Sequence, residues 1–203
     1  MKTMYSKKFK RLTICNLFYT VLFWSAVIMA AGLITPGLAS ADTAAEIDRD
    51  VDSALQQLYT KTPAAKELSK IAKGILVFPN VLKGGLVVGA QYGKGALREG
   101  GKSVGYYNTV AASYGLQAGV QKFGYAMFFI SQAGLDHLKK TKGWEVGIGP
   151  SIVFVDEGVA KSLTNTTAKE DIYAFVFGQR GLMAGLGIQG SKITRITPDK
   201  EVN

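Results

Sequence analysis

The stretch GLQAGVQ, residues 115–121, has three sister copies: GLVVGAQ from Gly85, GWEVGIG from Gly143 and GLMAGLG from Gly181. Each opens on Gly, carries a second Gly four residues on, and puts Val or Ala before that Gly. A loop that cradles phosphate has to lead into a helix N-terminus, and this phrase does not. Side chains alternate along a strand, so residues four apart project from one face. Gly85, Gly89 and Gly93 would then leave gaps along one strand, and the other copies would do the same. Such gaps let a sheet bend or admit a close neighbour. Two uses fit: a tightly coiled sheet packed on helices, or a cavity lined for an apolar ligand.

The flanking residues agree with β structure. GILVFP (74–79) reads as a short buried strand closed by Pro79. Residues 84–98, 104–112, 115–130, 143–155, 171–179, 181–190 and 192–197 are rich in Val, Ile, Tyr, Phe and Gly, the composition of strands. DIYAFVFGQ and GLMAGLGIQG meet at Arg180-Gly181 like the arms of a hairpin. SQAGLDHLKK (131–140) is a short helix, with a Ser cap and Leu135 and Leu138 on one side. Residues 156–171 are polar and form a long loop with room for one helical turn.

Upstream, Ile47, Val51, Ala54, Leu55 and Leu58 form one stripe of a helix over 43–59, with Asp48, Arg49, Gln56 and Gln57 facing away. Thr62-Pro63 opens a second helix that Gly74 ends. Lys66, Lys70 and Lys73 lie along one of its faces, and Ala64, Leu68, Ile71 and Ala72 along the other. The fold class is α+β: N-terminal helices, then a Gly-rich, mostly antiparallel sheet curled as a barrel or sandwich, with one short inserted helix.

Residues 1–41 stand apart. Lys2, Lys7, Lys8, Lys10 and Arg11 precede an apolar run from Ile14 to Ile34, then Thr35-Pro36-Gly37 and Ala39-Ser40-Ala41. This is the layout of a signal peptide cleaved before Asp42; the run is also long enough to be an N-terminal membrane anchor. Five of the 24 Lys and Arg lie in this segment, which leaves 19 against 15 acids, a net of +4 for a single domain over 42–203. That is far from the field of a nucleic-acid binder, and it suits anionic headgroups or acidic polymers. Cys15, the one cysteine, is removed with the segment and lies upstream of the cleavage point. The remaining domain, exported to the periplasm or cell envelope, has no disulfide and no thiolate chemistry.

Four motif matches lack the context their chemistry needs. Ala96 to Ser103 fits a relaxed phosphate-loop pattern, but a strand rather than a helix follows Lys102. Gly185-Leu186-Gly187-Ile188-Gln189-Gly190 fits a dinucleotide fingerprint without the following helix and acid. Ala111-Ala112-Ser113-Tyr114-Gly115 approximates a nucleophile elbow, and Ser113 with His137 would make a secreted esterase, but strand follows Ser113. Asp48, Asp50 and Asp52 start like a calcium loop, but Ser53 and Tyr59 stand where Gly and Glu are needed; they read as the solvated start of a helix. No catalytic residue, metal ligand, cofactor or nucleotide site is assigned.

The segment AKGILVFPNVLKGGLVVGAQYGKGAL (72–97) resembles the opening of the SYLF domain, and GQRGLMAGLGIQGSKI (178–193) is similar to its closing segment. GLQAGVQ falls where that family carries its central Gly-rich strand, and the resemblance spans roughly residues 50 to 197. The family implies a lipid-binding module rather than an enzyme; eukaryotic members bind phosphoinositides, and some bind or bundle actin. The matching basic positions are Lys66, Lys70, Lys73 and Lys83. Val104-Gly105-Tyr106-Tyr107-Asn108 departs from the Trp-Ser-x-Pro-like segment the family often has. An exported protein meets anionic phospholipid rather than actin or phosphoinositide, so the resemblance implies a non-enzymatic domain on an anionic membrane surface. A protein partner in the envelope is the alternative. A Lys stripe opposite an apolar stripe is also what an interfacial helix shows, and what a solvated helix face shows.

Overall fold

Among the described residues, Thr43 caps the first helix: its side chain accepts from the Glu46 N–H while the Glu46 carboxylate accepts from the Thr43 N–H. Helix α1 (Ala44–Lys61) follows and buries Ile47, Val51, Ala54 and Leu58 along the expected stripe. Pro63, whose missing N–H costs nothing at a helix start, opens α2 (Pro63–Ser69), which buries Ala64, Ala65 and Leu68. Short of the expected end at Gly74, α2 stops at Ser69, and the Lys73 N–H donates to the Phe129 carbonyl. The structure, a computed structural model, describes residues 43–85, 88–114, 119–181, 188 and 190–198.

The described residues then form eight strands, β1 (Gly74–Gly85), β2 (Val88–Glu99), β3 (Lys102–Tyr114), β4 (Gly119–Phe129), β5 (Trp144–Glu145), β6 (Ile152–Val155), β7 (Ile172–Gly181) and β8 (Lys192–Ile196). Helix α3 (Gln132–Lys140) joins β4 to β5, and α4 (Glu157–Ser162) lies between β6 and β7. All eight strands form one sheet in the order β5-β8-β3-β2-β1-β4-β7-β6, antiparallel except for the β6–β7 pair. Among the described residues its outer strands do not pair with each other, and the sheet is a curled half-barrel rather than a closed barrel or a sandwich of two sheets.

The strand expected to close at Pro79 runs on to Gly85. The register of β1 shifts across Pro79 against both neighbours, between Val77 and Asn80 on the β2 side and between Phe78 and Val81 on the β4 side. A bulge is where a central strand can hold a residue with no N–H to give. Glycine on each neighbouring strand makes room for it. A Cβ on Gly95 would collide with the Val77 carbonyl oxygen, and one on Gly124 would come within 2.8 Å of the Pro79 carbonyl oxygen. The bulge also exchanges the two faces downstream, as a one-residue slip must.

Both faces of the sheet are packed. The inner face holds Leu76, Phe78, Val81, Leu97, Tyr107, Phe123, Tyr125, Met127 and Phe129, with Leu135 and Leu138 of α3 and Trp144. The outer face puts Val77, Ala96, Ala126, Phe128, Tyr173 and Phe175 under the apolar sides of α1 and α2. The Gly phrase marks strand ends rather than bends within strands. Gly85 and Gly89 stand on different strands and pair with each other, and Gly85 also pairs with Gly119. A Cβ on Gly85 would run into the Gly89 backbone and the Val88 carbonyl. The Gly143 copy holds the two-residue β5 and then a turn, with Gly143, Gly147 and Gly149 at φ of +155°, +103° and +99°. Arg180 and Gly181 continue β7 and pair with Lys122 and Gln121, so the expected turn does not fall at that point. The rest of the GLMAGLG copy lies outside the described residues.

Candidate functional site

The three aspartates of α1 turn towards the sheet, contrary to the solvated helix start expected of them. Asp48 accepts from the Ser103 hydroxyl at 2.6 Å and the Tyr106 hydroxyl at 3.0 Å. Arg98 donates to the Asp48 carbonyl at 3.1 Å and to the Asp52 carboxylate at 2.6 Å. The Asn80 amide donates to Asp50 at 2.9 Å. Burial, and then the Asp48 carboxylate beside it, push the Tyr106 phenol up. These carboxylates fasten a helix to a sheet. Spacing alone did not reveal it, because their partners lie 30 to 58 residues away.

The structure separates the basic residues grouped in the sequence. Lys66, Lys70 and Lys73 are exposed on or just after α2, as is Lys61 at the end of α1. Lys70 donates to Glu67 at 2.7 Å, the one acid between Lys61 and Lys73. Lys83 does not share their surface. It is 6% exposed and faces the inner side of the sheet, paired across β1–β2 with Gln91 and across β1–β4 with Gln121. The bulge at Pro79 is the reason, since it sends the odd-numbered residues beyond it inward. Gln91 and Gln121, each the last residue of its Gly phrase, are buried too, and the Gln91 amide donates to the Ser191 hydroxyl at 3.3 Å. Deeper in the same face the Tyr125 hydroxyl donates to Thr109 at 2.8 Å, and burial pushes that phenol up.

The outer face holds a feature that strand patterning did not single out. In the row of pairs Leu82–Tyr92, Tyr92–Val110, Val110–Lys192 and Leu82–Lys122, three apolar side chains lie between two lysines. One step towards the Gly85 end of the sheet stand Ala112, Ala90, Gly84 and Val120, and Val88 lies beyond. Leu82, Val88, Tyr92, Val110 and Val120 are 45 to 60% exposed. Helices α1 and α2 cover only the other part of this face.

The phosphate-loop-like and elbow-like motifs lie on strands and a turn between strands. Gly100 and Gly101, at φ of +55° and +79°, turn β2 into β3, so a strand follows Lys102. Gly190 of the dinucleotide-like run precedes β8. Ser113 pairs with Gly89 within β3, and the next described element is the strand β4 rather than the helix of an elbow. His137 sits on α3 with its ring edge-on to Trp144 at 6.0 Å. Among the described residues no cluster of three or more His, Cys, Asp or Glu could hold a metal ion. None of their helices is long and apolar enough to cross a membrane.

A family model described as Ysc84, Las17-binding protein actin regulator, matches residues 110–203. No curated protein matches the chain. The matched segment runs from the end of β3 through β8 and contains the closing segment noted in the sequence. Ysc84 is the SYLF domain by another name, so the match at residues 110–203 agrees with the resemblance read from the sequence.

Proposed function

We propose that this chain binds an anionic phospholipid surface of the cell envelope without catalysing a reaction, as an exported SYLF-family domain. The carrying observation is the segment from Lys61 to Lys73. It exposes Lys61, Lys66, Lys70 and Lys73 against the single acid Glu67, while Ala64, Ala65 and Leu68 are buried beneath. With the apolar side engaged in the fold, the lysines are left to meet headgroups. Each lysine near such a surface contributes about 1 kcal/mol, so three give weak, salt-sensitive attachment. The basic leader and Ala39-Ser40-Ala41 support export to the envelope.

Sedimentation of the full chain with phosphatidylglycerol-containing vesicles tests the proposal. Lys66→Glu, Lys70→Glu and Lys73→Glu together should weaken partitioning at least a hundredfold, the ~3 kcal/mol of three contacts. Undiminished pelleting of that variant would remove these lysines from the contact. No pelleting of the unaltered chain at any lipid composition would end the lipid reading.

A further inference from the structure

We infer that the bilayer is entered by the Gly85 end of the sheet's outer face, with Val88 and Val120 foremost among the exposed apolar side chains described and the row Lys192–Val110–Tyr92–Leu82–Lys122 at headgroup level. This rests on the reading that the chain binds anionic lipid, and it gives the contact another location, since Lys70 and Lys73 stand by Gly74 at the opposite end of β1.

The residues are ordered along the strands as a membrane interface is ordered along its normal. Nearest the strand ends the outer face carries Val88, Ala90, Ala112 and Val120. One row back come Leu82, Tyr92 and Val110 with Lys122 and Lys192 at the two ends, and Lys94 follows on β2. Tyrosine and lysine are the residues that sit at a lipid–water boundary, the ring at headgroup level and the ammonium reaching outward over an apolar stem. The chain itself keeps charge away from this end. No charged residue occurs from Gly84 to Gly93 or from Ser103 to Gln121, and Lys94 and Lys122 are the first to follow. Asp50 lines one cavity with Lys122, and two further acids approach the lysines. Glu145 pairs with Lys192 at the sheet edge, and Glu46 lies within electrostatic reach of Lys94. Neither stands within the row from Val110 to Lys122.

Size decides between a bilayer and a second copy of the chain. Four strands about 4.8 Å apart and some five residues of each give an apolar surface of roughly 300 Å². A stable protein interface needs about 800 Å² from each partner, whereas shallow insertion into lipid has no such minimum. The exposed valines are therefore suited to acyl chains.

The test places an environment-sensitive fluorophore (NBD) on the full chain in a Cys15→Ser background. The label sites are Val88→Cys, Val120→Cys, Lys66→Cys and Ile148→Cys, the last being an equally exposed apolar position elsewhere. With vesicles of equal parts phosphatidylcholine and phosphatidylglycerol, the labels at 88 and 120 should shift to the blue and be quenched by doxyl-lipid, and that at 148 should not. Val88→Asp with Val120→Asp should weaken partitioning roughly tenfold. Pelleting with a response at 66 and none at 88 or 120 overturns this inference and leaves the lipid reading standing. No pelleting by any form overturns both. A dimer in solution that Val88→Asp with Val120→Asp dissociates would make the surface a contact between copies and overturn it too.

Discussion

Asp171 shows how much a single carboxylate can join. It accepts from the hydroxyl of Ser131, which caps α3 through the Gly134 N–H, and from the Ser151 N–H and hydroxyl just before β6. These bonds, Ser131 first, hold its carboxyl below its ordinary value of 3.8. A carboxyl whose folded pKa lies below its unfolded one stabilises fully above the unfolded value, and that contribution disappears as pH falls through the folded value. Asp171→Asn should therefore lower Tm near neutral pH, and the gap to the unaltered protein should close below about pH 3.8. Thermal melts across that range check it; a gap that stays constant with pH would mean the charge plays no part. Gly95 gives a second expectation at this scale. An added methyl would meet the Val77 carbonyl, which cannot withdraw without moving β1. Gly95→Ala should cost about 2–3 kcal/mol in urea melts, as forced overpacking does. Gly100, with open space around it and φ of +55°, should cost about 1 kcal/mol for its backbone alone. The Ser131 cap was readable from local sequence, but Asp171 was not: the bond joins residues 40 apart.

Elements were legible where one period governed them. The stripe of α1, the Pro63 start of α2 and the Ser cap of α3 all follow from spacing within a turn or two. What escaped is what depends on neighbours. Pro79 reads as a strand terminator until Gly95 and Gly124 on both flanking strands are seen to admit a bulge. Because that bulge exchanges faces, Lys83 passes from a surface expectation to an interior position. The aspartates of α1 are a second case, polar by composition yet pointed at Arg98, Ser103, Tyr106 and Asn80. Arg98, with a side chain 11% exposed, holds both Asp48 and Asp52. Arg98→Met keeps much of its stem but leaves those carboxylates without their cation, so it should cost about 2–3 kcal/mol. Hydrogen exchange should show the first turns of α1 opening more often while the amides of β4 stay protected. Equal acceleration in both would mean that the helix and the sheet open as one unit.

At the scale of the whole molecule, the sheet order constrains where the domain can begin. The family match starts at residue 110, yet β1 and β2 lie between β3 and β4 in the order β3-β2-β1-β4. Residues 110–203 alone would keep β4, β7 and β6 on one side and the end of β3 with β8 and β5 on the other. Nothing from residues 74–99 would remain to join them. Such a fragment would also lack α1 and α2, whose apolar sides share one core cluster with Ala126, Phe128, Tyr173 and Phe175. Unpaired strand edges and an uncovered apolar face are both unfavourable, and a sheet divided in two has no continuous core to offset them. A chain of residues 42–203 should therefore unfold cooperatively in urea, whereas residues 110–203 should show no transition and poorly dispersed amide resonances. The opening segment at 72–97 is then as much a part of the domain as the closing one, because its strands are the centre of the sheet. A cooperative transition in the shorter fragment would show that β4, β7 and β6 can form a core without β1, contrary to this account.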